Sequence, residues 1–184
     1  MKPALPQPER MHRLFPIIVP RRYNKKGNWP GYLTNLKHPM LAVTHVWVQE
    51  DQTLMYLNRE EHDDLAAHDL DCHAIAMENL RATSTETFYT HMKQVDGILE
   101  MVGFMNEDGL GTSRLLLLDR LSEIFPGGCR IGIPERSCGI VISGALNQQT
   151  TRSYEDLAGK CYENGNVPML PGLFDPSQFE IAIG

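Results

Sequence analysis

The sequence lacks the features of membrane and secreted proteins. It has no run of about 18 apolar residues, the length that a membrane-spanning helix needs. Its first apolar stretch, LFPIIVP, is interrupted by proline and has no small-residue cleavage site, so we do not expect a signal peptide. The 4 cysteines show no paired spacing, which is typical of proteins in a reducing compartment. These absences predict a cytoplasmic protein with no membrane partner.

The motifs of common catalytic and metal sites are also absent. The sequence contains no H-E-x-x-H, paired C-x-x-C, EF-hand, P-loop or dinucleotide-binding pattern. Residues 61–73, EHDDLAAHDLDCH, are rich in metal-ligating side chains, but their spacing does not suit one site. Residues 103–114 lead into a helix as a phosphate loop does, yet Glu107 and Asp108 would repel phosphate. We therefore predict no metal and no cofactor, while anion binding at 103–114 stays open.

Positive charge is scarce outside the first 40 residues. That segment holds eight Lys and Arg against one acid, so it carries +7, whereas the remaining residues carry −13 within a total of −6. A basic, proline-rich arm can bind an acidic partner or lie against the chain's own acidic remainder. No nucleic-acid-binding motif accompanies the charge, so we predict no nucleic-acid partner. The candidate partner-binding cations are Arg21, Arg22, Lys25 and Lys26.

The composition and periodicity that are present predict one globular domain over residues 1–184, with 42% hydrophobic residues. Apolar patterns predict strands at 41–49, 53–57, 97–105, 129–133 and 138–143, and helices at 58–68, 72–82, 113–125 and 152–163. We expect an α+β fold: a mixed, largely antiparallel sheet of about five strands covered by two or three helices. The basic arm, about residues 1–40, would be extended with at most short strands and would follow one edge of that sheet.

Two leucines of the helix predicted at 113–125 fall outside its core-facing stripe. Leu117, Leu118, Leu121, Ile124 and Phe125 form that stripe. Leu115 and Leu116 make the start of the helix apolar nearly all round. This start is therefore either deeply buried or part of an interface with a partner.

The stretch GIPERSCG predicts a hairpin tip rather than a nucleophilic turn. If Ile133 faces Cys138, the inward residues of both strands form one apolar face. Gly132 and Gly139 then lie opposite each other on a bare second face, which is suited to close approach by a helix or another chain. In this interpretation Cys138 is a small core residue and PERS is a turn.

Two histidines are candidates for acid–base chemistry. His73 falls on the core stripe of the helix at 72–82, and His45 falls within a buried strand. Either could be a general base, alone or with Cys138, although such histidines are more often hydrogen-bonded core residues.

Several segments in this order resemble the YtpQ-like bacterial family of uncharacterised proteins. The similar pieces, within residues 14–143, are LFPIIVPRRY, LAVTHVWVQED, LNREEHDDLAAHDLDCHAIAMENLRA and GLGTSRLLLLDRLSEIFPGGCRIGIPERSCGIVI. The resemblance supports the fold outline and implies no catalytic residues. It implies recurrent polar residues at Arg21, Asn79, Arg81, Arg114 and Arg136. Such residues either form an anion-binding pocket or tie helices to strands by hydrogen bonds.

Two functions follow as alternatives. The first is a non-catalytic interaction protein that binds another protein or self-associates, through the basic arm or the face near Leu115 and Leu116. The second is an enzyme or small-ligand binder for an anionic substrate. Its candidate ligand-binding residues are Asn79, Arg81, Arg114, Arg136 and His73.

Overall fold

The computed structural model describes residues 8–24, 29 and 31–182. The chain forms two compact units: the described residues up to Thr85 join Ile181 and Ala182 in the first, and Glu86–Glu180 form the second. Each unit contains one antiparallel sheet with helices. The predicted α+β class is therefore confirmed, with the strands divided between two sheets rather than placed in one. The prediction of one domain over the whole chain stays a prediction.

The first unit is built around one central strand. Its elements are α1 (Pro8–Met11), β1 (Leu14–Pro20), β2 (Thr34–Asn35), β3 (Leu41–Val48), β4 (Leu54–Tyr56), α2 (Arg59–Ala67) and α3 (Cys72–Thr83). Strands β1, β2 and β4 all pair with β3 in antiparallel fashion. The predicted central strand and its antiparallel partner are therefore confirmed.

Strand β1 shows that the basic arm is more than an extended segment with short strands. All seven of its residues are buried, and it pairs with β3 from Leu14 opposite Trp47 to Pro20 opposite Leu41. A proline lacks the backbone donor of a strand, but an edge strand tolerates it because only one side needs partners. β1 is such an edge strand, so Pro16 and Pro20 do not prevent its formation.

Helices α2 and α3 both begin within one residue of their predicted starts, and both have capping residues. Asn58 and Glu61 form a reciprocal capping box on α2, and the Asp71 carboxylate accepts from the amides of His73 and Ala74 at the start of α3. The capped helices bury apolar side chains in a core with the sheet. Its members are Leu14, Trp47, Leu57, Leu65, Cys72 and Ala76.

The second unit contains the larger sheet, with five strands rather than four. Its elements are β5 (His91–Val95), β6 (Ile98–Phe104), α4 (Leu118–Ile124), β7 (Cys129–Glu135), β8 (Cys138–Ser143), α5 (Gln148–Asn164) and β9 (Leu173–Phe174). The sheet order is β5-β6-β8-β7-β9. The predicted strands at 97–105, 129–133 and 138–143 are confirmed. The predicted last helix is also confirmed. It begins four residues earlier than predicted, at Gln148, and Asn147 is its N-cap.

The hairpin of β7 and β8 forms in a different register from the predicted one. Ile131 lies opposite Val141 and Gly132 opposite Ile140, with an irregularity before Glu135 pairs with Cys138. This one-residue shift moves the side chains of one strand to the other face relative to its partner. Gly132 and Gly139 therefore lie on opposite sides of the sheet.

The prediction of a bare sheet face at these two glycines is therefore wrong. A Cβ on Gly132 would come within 2.8 Å of side-chain carbons of Ile140 and Leu173, and one on Gly139 within 2.9 Å of Leu115. The glycines do permit close approach, but by side chains of the same chain.

The predicted helix at 113–125 is interrupted. A 3-10 helix, Thr112–Leu116, is followed by Leu117 in a non-helical conformation and then by α4. Leu115, Leu116 and Leu117 are all buried. Packing all of them against the rest of the unit requires a change of direction that a straight helix cannot make, so burial overrides helix propensity here.

Two further features concern the whole described chain. None of its helices is both long and apolar enough to cross a membrane, within the residues that the structure describes. Near the end of the described chain, Phe179 ends a 3-10 turn and Ile181 forms an isolated bridge with Leu36.

Candidate binding site

A groove in the second unit lies between the β5–β6 hairpin and α5. Its volume is about 670 Å³. The hairpin contributes Lys93, Val95 and Glu100 to its lining. From α5, the residues that line the other side are Gln149, Thr150, Ser153, Tyr154, Asp156, Leu157 and Lys160. Positions three and four apart lie on the same side of a helix, so these residues form one continuous face along α5.

The β5–β6 hairpin owes its form to a tight turn at Asp96 and Gly97. Both residues have positive φ, 52° and 79°, as a two-residue turn of the type that matches strand twist requires. Asp-Gly is the usual sequence for such a turn, so this signal could have located β5, which sequence reasoning missed.

A bulge aims Glu100 into the groove. Lys93 lies opposite Met101 and Gln94 opposite Leu99, which leaves Glu100 as the extra residue on β6. Bulges redirect a side chain that regular alternation would place elsewhere. The Glu100 carboxylate accepts a hydrogen bond from the Tyr154 hydroxyl at 2.7 Å and lies 3.5 Å from the Lys93 ammonium.

The three polar groups stabilise one another's ordinary charge state. The Lys93 ammonium also lies 5.2 Å from the centre of the Tyr154 ring. The hydrogen bond with Tyr154 and the contact with Glu100 raise the pKa of Lys93. Burial and the hydrogen bond to Glu100 raise the pKa of Tyr154. At neutral pH the lysine is therefore charged and the tyrosine neutral, an arrangement that suits binding rather than proton transfer.

Beside the groove, β5 presents an exposed outer edge. It is the last strand of its sheet, and all five of its residues are exposed. Large apolar side chains are exposed along the hairpin and on the adjoining helix: Met92 at 60%, Val95 at 41%, Ile98 at 62% and Leu157 at 40%. Within the described residues no strand pairs with this edge.

A second polar cluster lies in the core of the first unit. The imidazole of His45, on β3, is fully buried, and its Nε2 lies 3.2 Å from Nδ1 of His73 on α3. Its Nδ1 lies 3.9 Å from Sγ of Cys72. The predicted core histidines are thus hydrogen-bonded to each other.

Burial makes this cluster unsuitable for nucleophilic catalysis. Burial, together with the charge of neighbouring His73, lowers the pKa of His45 to about 3, and burial lowers the pKa of His73. Burial and the nearby Asp71 carboxylate raise the pKa of the Cys72 thiol to about 11. At neutral pH the His45 imidazole is too weak a base, and the Cys72 thiol too weak an acid, for the imidazole to deprotonate the thiol. All three groups are neutral there.

The residues predicted for an anion pocket are divided between the units. Asn79 lies on α3, where its amide donates to the carbonyls of Met11 at 2.8 Å and Leu14 at 2.9 Å. It therefore ties the helix to the sheet, the second of the two roles implied for it. Arg81 is exposed near the end of α3, and His73 contacts His45.

The other two predicted residues lie in the second unit. Arg114 is 2% exposed, and its guanidinium donates to both carboxylate oxygens of Asp108, at 3.1 and 2.6 Å. Arg136 is half-buried in the turn between β7 and β8, where its carbonyl accepts from the Thr112 hydroxyl. The Arg114 charge is thus balanced by the chain itself.

The residues predicted to bind a partner have mixed positions. Arg21 is half-buried and donates to the carbonyls of Leu36 and Leu41, so it supports the fold, whereas Arg22 is exposed. Lys25 and Lys26 lie outside the described residues. Leu115 and Leu116 are buried. Of the two alternatives for the start of the predicted helix at 113–125, burial and an interface, this is the first.

The stretches singled out for reactive side chains have structural roles. In the turn after β7, both the amide and the hydroxyl of Ser137 donate to the Glu135 carboxylate, as a hairpin tip requires. In residues 61–73, His62 stacks on Tyr32 and His68 contacts the carbonyl of Asp64. No three metal-ligating side chains come together anywhere in the part of the chain that the structure describes.

No family model, curated protein or solved structure matches the chain. The resemblance to the YtpQ-like family therefore stays a prediction, resting on the segments that carry it.

Proposed function

We propose that this chain is a protein-binding module that takes up an extended segment of another protein at the outer edge of β5. One observation carries the proposal: an exposed edge strand with apolar side chains lies beside a helix-lined groove. Edge strands and adjacent helices form the binding sites of several modules that recognise peptides by strand addition.

The backbone of β5 supplies the first part of the argument. Its inner side pairs with β6, which leaves outward N–H and C=O groups along the other side. Only an extended chain presents donors and acceptors at the matching spacing. The bound segment would thus become a sixth strand of this sheet.

Side chains around the edge indicate the chemistry of that segment. Val95 and Leu157 offer apolar contacts on the strand and the helix. Lys93 is half exposed, but Glu100 already pairs with it and Asp156 also lines the groove. A segment with alternating apolar side chains therefore complements this surface.

A second copy of the chain complements it less well. Two β5 strands paired antiparallel about their middle residue would place Lys93 directly opposite its equivalent, and like charges in that position are destabilising. This repulsion favours a different protein as the occupant.

The anionic-substrate alternative has less support. Two of its polar candidates are already bonded: Asn79 to backbone carbonyls and Arg114 to Asp108. We therefore propose a non-catalytic role. We further propose that it acts in the cytoplasm, since the cysteines are all free thiols, and that its family is the YtpQ-like one.

Selection of a random-peptide library displayed on phage against the immobilised full-length chain tests the binding site. We expect extended peptides with alternating apolar residues, whose affinity falls about tenfold or more in Met92→Asp or Val95→Asp. Met55→Asp is the matched control, because Met55 is an exposed methionine, 51% accessible, on β4 of the other sheet.

Hydrogen–deuterium exchange locates the bound peptide. Strand addition predicts that backbone amides of β5 become protected when a selected peptide binds. Equal affinity for all three variants, or protection confined to other segments, would contradict the proposal. A stable dimer in sedimentation that Val95→Asp dissociates would instead assign the edge to a second copy.

A further inference from the structure

Three of the four cysteines are partly exposed, and two of them meet. Cys138 is the first residue of β8, and Cys161 lies in the last turn of α5. Their separation of more than twenty positions in the sequence gives no spacing signal, so only the fold brings them together.

Packing of α5 on the sheet creates the contact. Cys138 packs against a buried cluster that includes Tyr154 and Ala158 of α5. Cys161 follows Ala158 by three positions and so lies on the same side of the helix. Contact with the Cys161 side chain is one of the causes that raise the pKa of the Cys138 thiol.

The end of α5 is held closely against this hairpin. A Cβ on Gly165, just past the helix, would lie 3.0 Å from the Cys161 carbonyl oxygen and would also clash with the Glu135 side chain. Glu135 is the residue that pairs with Cys138 across the hairpin. The contact between the thiols therefore rests on a tightly packed junction.

We propose that Cys138 and Cys161 are a redox-active thiol pair that closes to an intramolecular disulfide in exchange with a small disulfide such as oxidised glutathione. One thiolate attacks the reagent and releases one reduced glutathione, leaving a mixed disulfide. The second thiolate then displaces the second glutathione. The chain loses two hydrogens and two electrons, which the two glutathione molecules gain, so its mass falls by about 2 Da.

The pair has the chemistry of a slow switch rather than a fast sensor. Burial, with contributions from Cys161 and Glu135, raises the pKa of the Cys138 thiol to about 11. Only the thiolate attacks a disulfide, so reaction through Cys138 accelerates about tenfold per pH unit below that value. A disulfide would join α5, whose preceding turns line the groove, to the start of β8.

The test is incubation of the intact chain with oxidised glutathione at pH 7 and at about pH 9, followed by intact-mass and peptide mapping. We expect a chain about 2 Da lighter with a Cys138–Cys161 cross-linked peptide, formed faster at the higher pH and reversed by dithiothreitol. Its melting temperature should exceed that of the reduced chain, because the bond constrains the unfolded state.

Serine variants identify the partners. Cys138→Ser and Cys161→Ser should each retain glutathione on the remaining thiol of the pair. Cys129→Ser should still form the Cys138–Cys161 disulfide. Cys129 is the matched control because burial raises its pKa to about 11 as well, whereas its position is at the opposite end of the hairpin. Wild-type chain that stays unreacted at the higher pH, carries only mixed disulfides, or links another pair would overturn the proposal.

Discussion

Arg114 shows how a single buried charge can determine a local structure. Its guanidinium is as inaccessible as the leucines that follow it, and both of its terminal nitrogens donate to Asp108. Burial raises the pKa of Asp108, but the hydrogen bonds from Arg114 and from the Leu110 amide outweigh it and hold the pKa below the ordinary 3.8. The ion pair therefore stabilises the folded state above that pH, and its contribution is lost as the pH falls through the lower folded pKa.

Asp108→Asn should destabilise the second unit by about 2 kcal/mol, because it leaves the buried guanidinium without a counter-charge. We place the loss below that of a fully buried pair because Asp108 is 43% exposed and partly screened by water. Urea unfolding followed by circular dichroism measures it. Glu107→Gln removes a neighbouring exposed carboxylate and should change little; equal stability of the two variants would refute this role.

Glu107 and Asp108 also illustrate what residue-level reasoning could reach. The sequence indicated that acids in residues 103–114 would repel phosphate, which stays a prediction. It did not indicate that Asp108 pairs with Arg114, six positions later, because the 3-10 turn that brings them together forms only when the leucines are buried.

At the scale of elements, α3 depends on the residue that caps its start. Asp71 accepts from the amides of His73 and Ala74, two of the donors that a helix start leaves without partners. Asp71→Ala should therefore destabilise the first unit by about 1 kcal/mol. Tryptophan fluorescence during urea unfolding measures this loss. Glu78→Ala, at an exposed position in the middle of the same helix, should have almost no effect; a similar loss in both variants would show that the cap is not responsible.

Elements with a local signal were predicted well, and elements that depend on distant contacts were not. Helices α2 and α3 have capping residues within a few positions of their start. The register of β7 and β8 depends instead on an irregularity near the turn and on close contact of Gly139 with Leu115. A one-residue shift of register moves the side chains of one strand to the other face relative to its partner, so a small error separated the two glycines.

At the scale of the whole molecule, the two units can be observed separately. Both tryptophans of the chain, Trp29 and Trp47, belong to the first unit, so their fluorescence reports on it alone. The same unit contains the buried His45. Around His45 lie His73 and Asp71 near the start of α3, and His62 on α2.

The first unit should lose stability in acid. The folded pKa of His45, about 3, is below the ordinary 6.5. Below pH 6.5 the unfolded chain binds a proton that the folded chain does not, so stability falls by about 1.4 kcal/mol per pH unit as the pH decreases toward 3. Between pH 7 and pH 4 this amounts to roughly 3 kcal/mol from His45.

His45→Gln should remove most of this pH dependence, measured by urea unfolding with tryptophan fluorescence at each pH. Some dependence should remain, because burial lowers the pKa of His73 in the same direction. His12→Gln changes an exposed histidine of the same unit and should keep the wild-type slope. An unchanged slope in His45→Gln would show that its burial does not govern acid stability.

The sequence by itself determined the α+β class, the central strand β3, the capped helices and the hairpin of β7 and β8. Each follows from periodicity or capping within about ten residues, which the chain expresses wherever it folds. It also indicated correctly that His45 and His73 are hydrogen-bonded core residues.

Only the tertiary structure decided the candidate site. The division of strands into two sheets, the bulge that aims Glu100 at Tyr154, and the meeting of Cys138 with Cys161 all join residues far apart in the chain. Such contacts depend on which surfaces are buried together, and no local pattern specifies that choice. The groove and the thiol pair both arise from one event, the packing of α5 on its sheet.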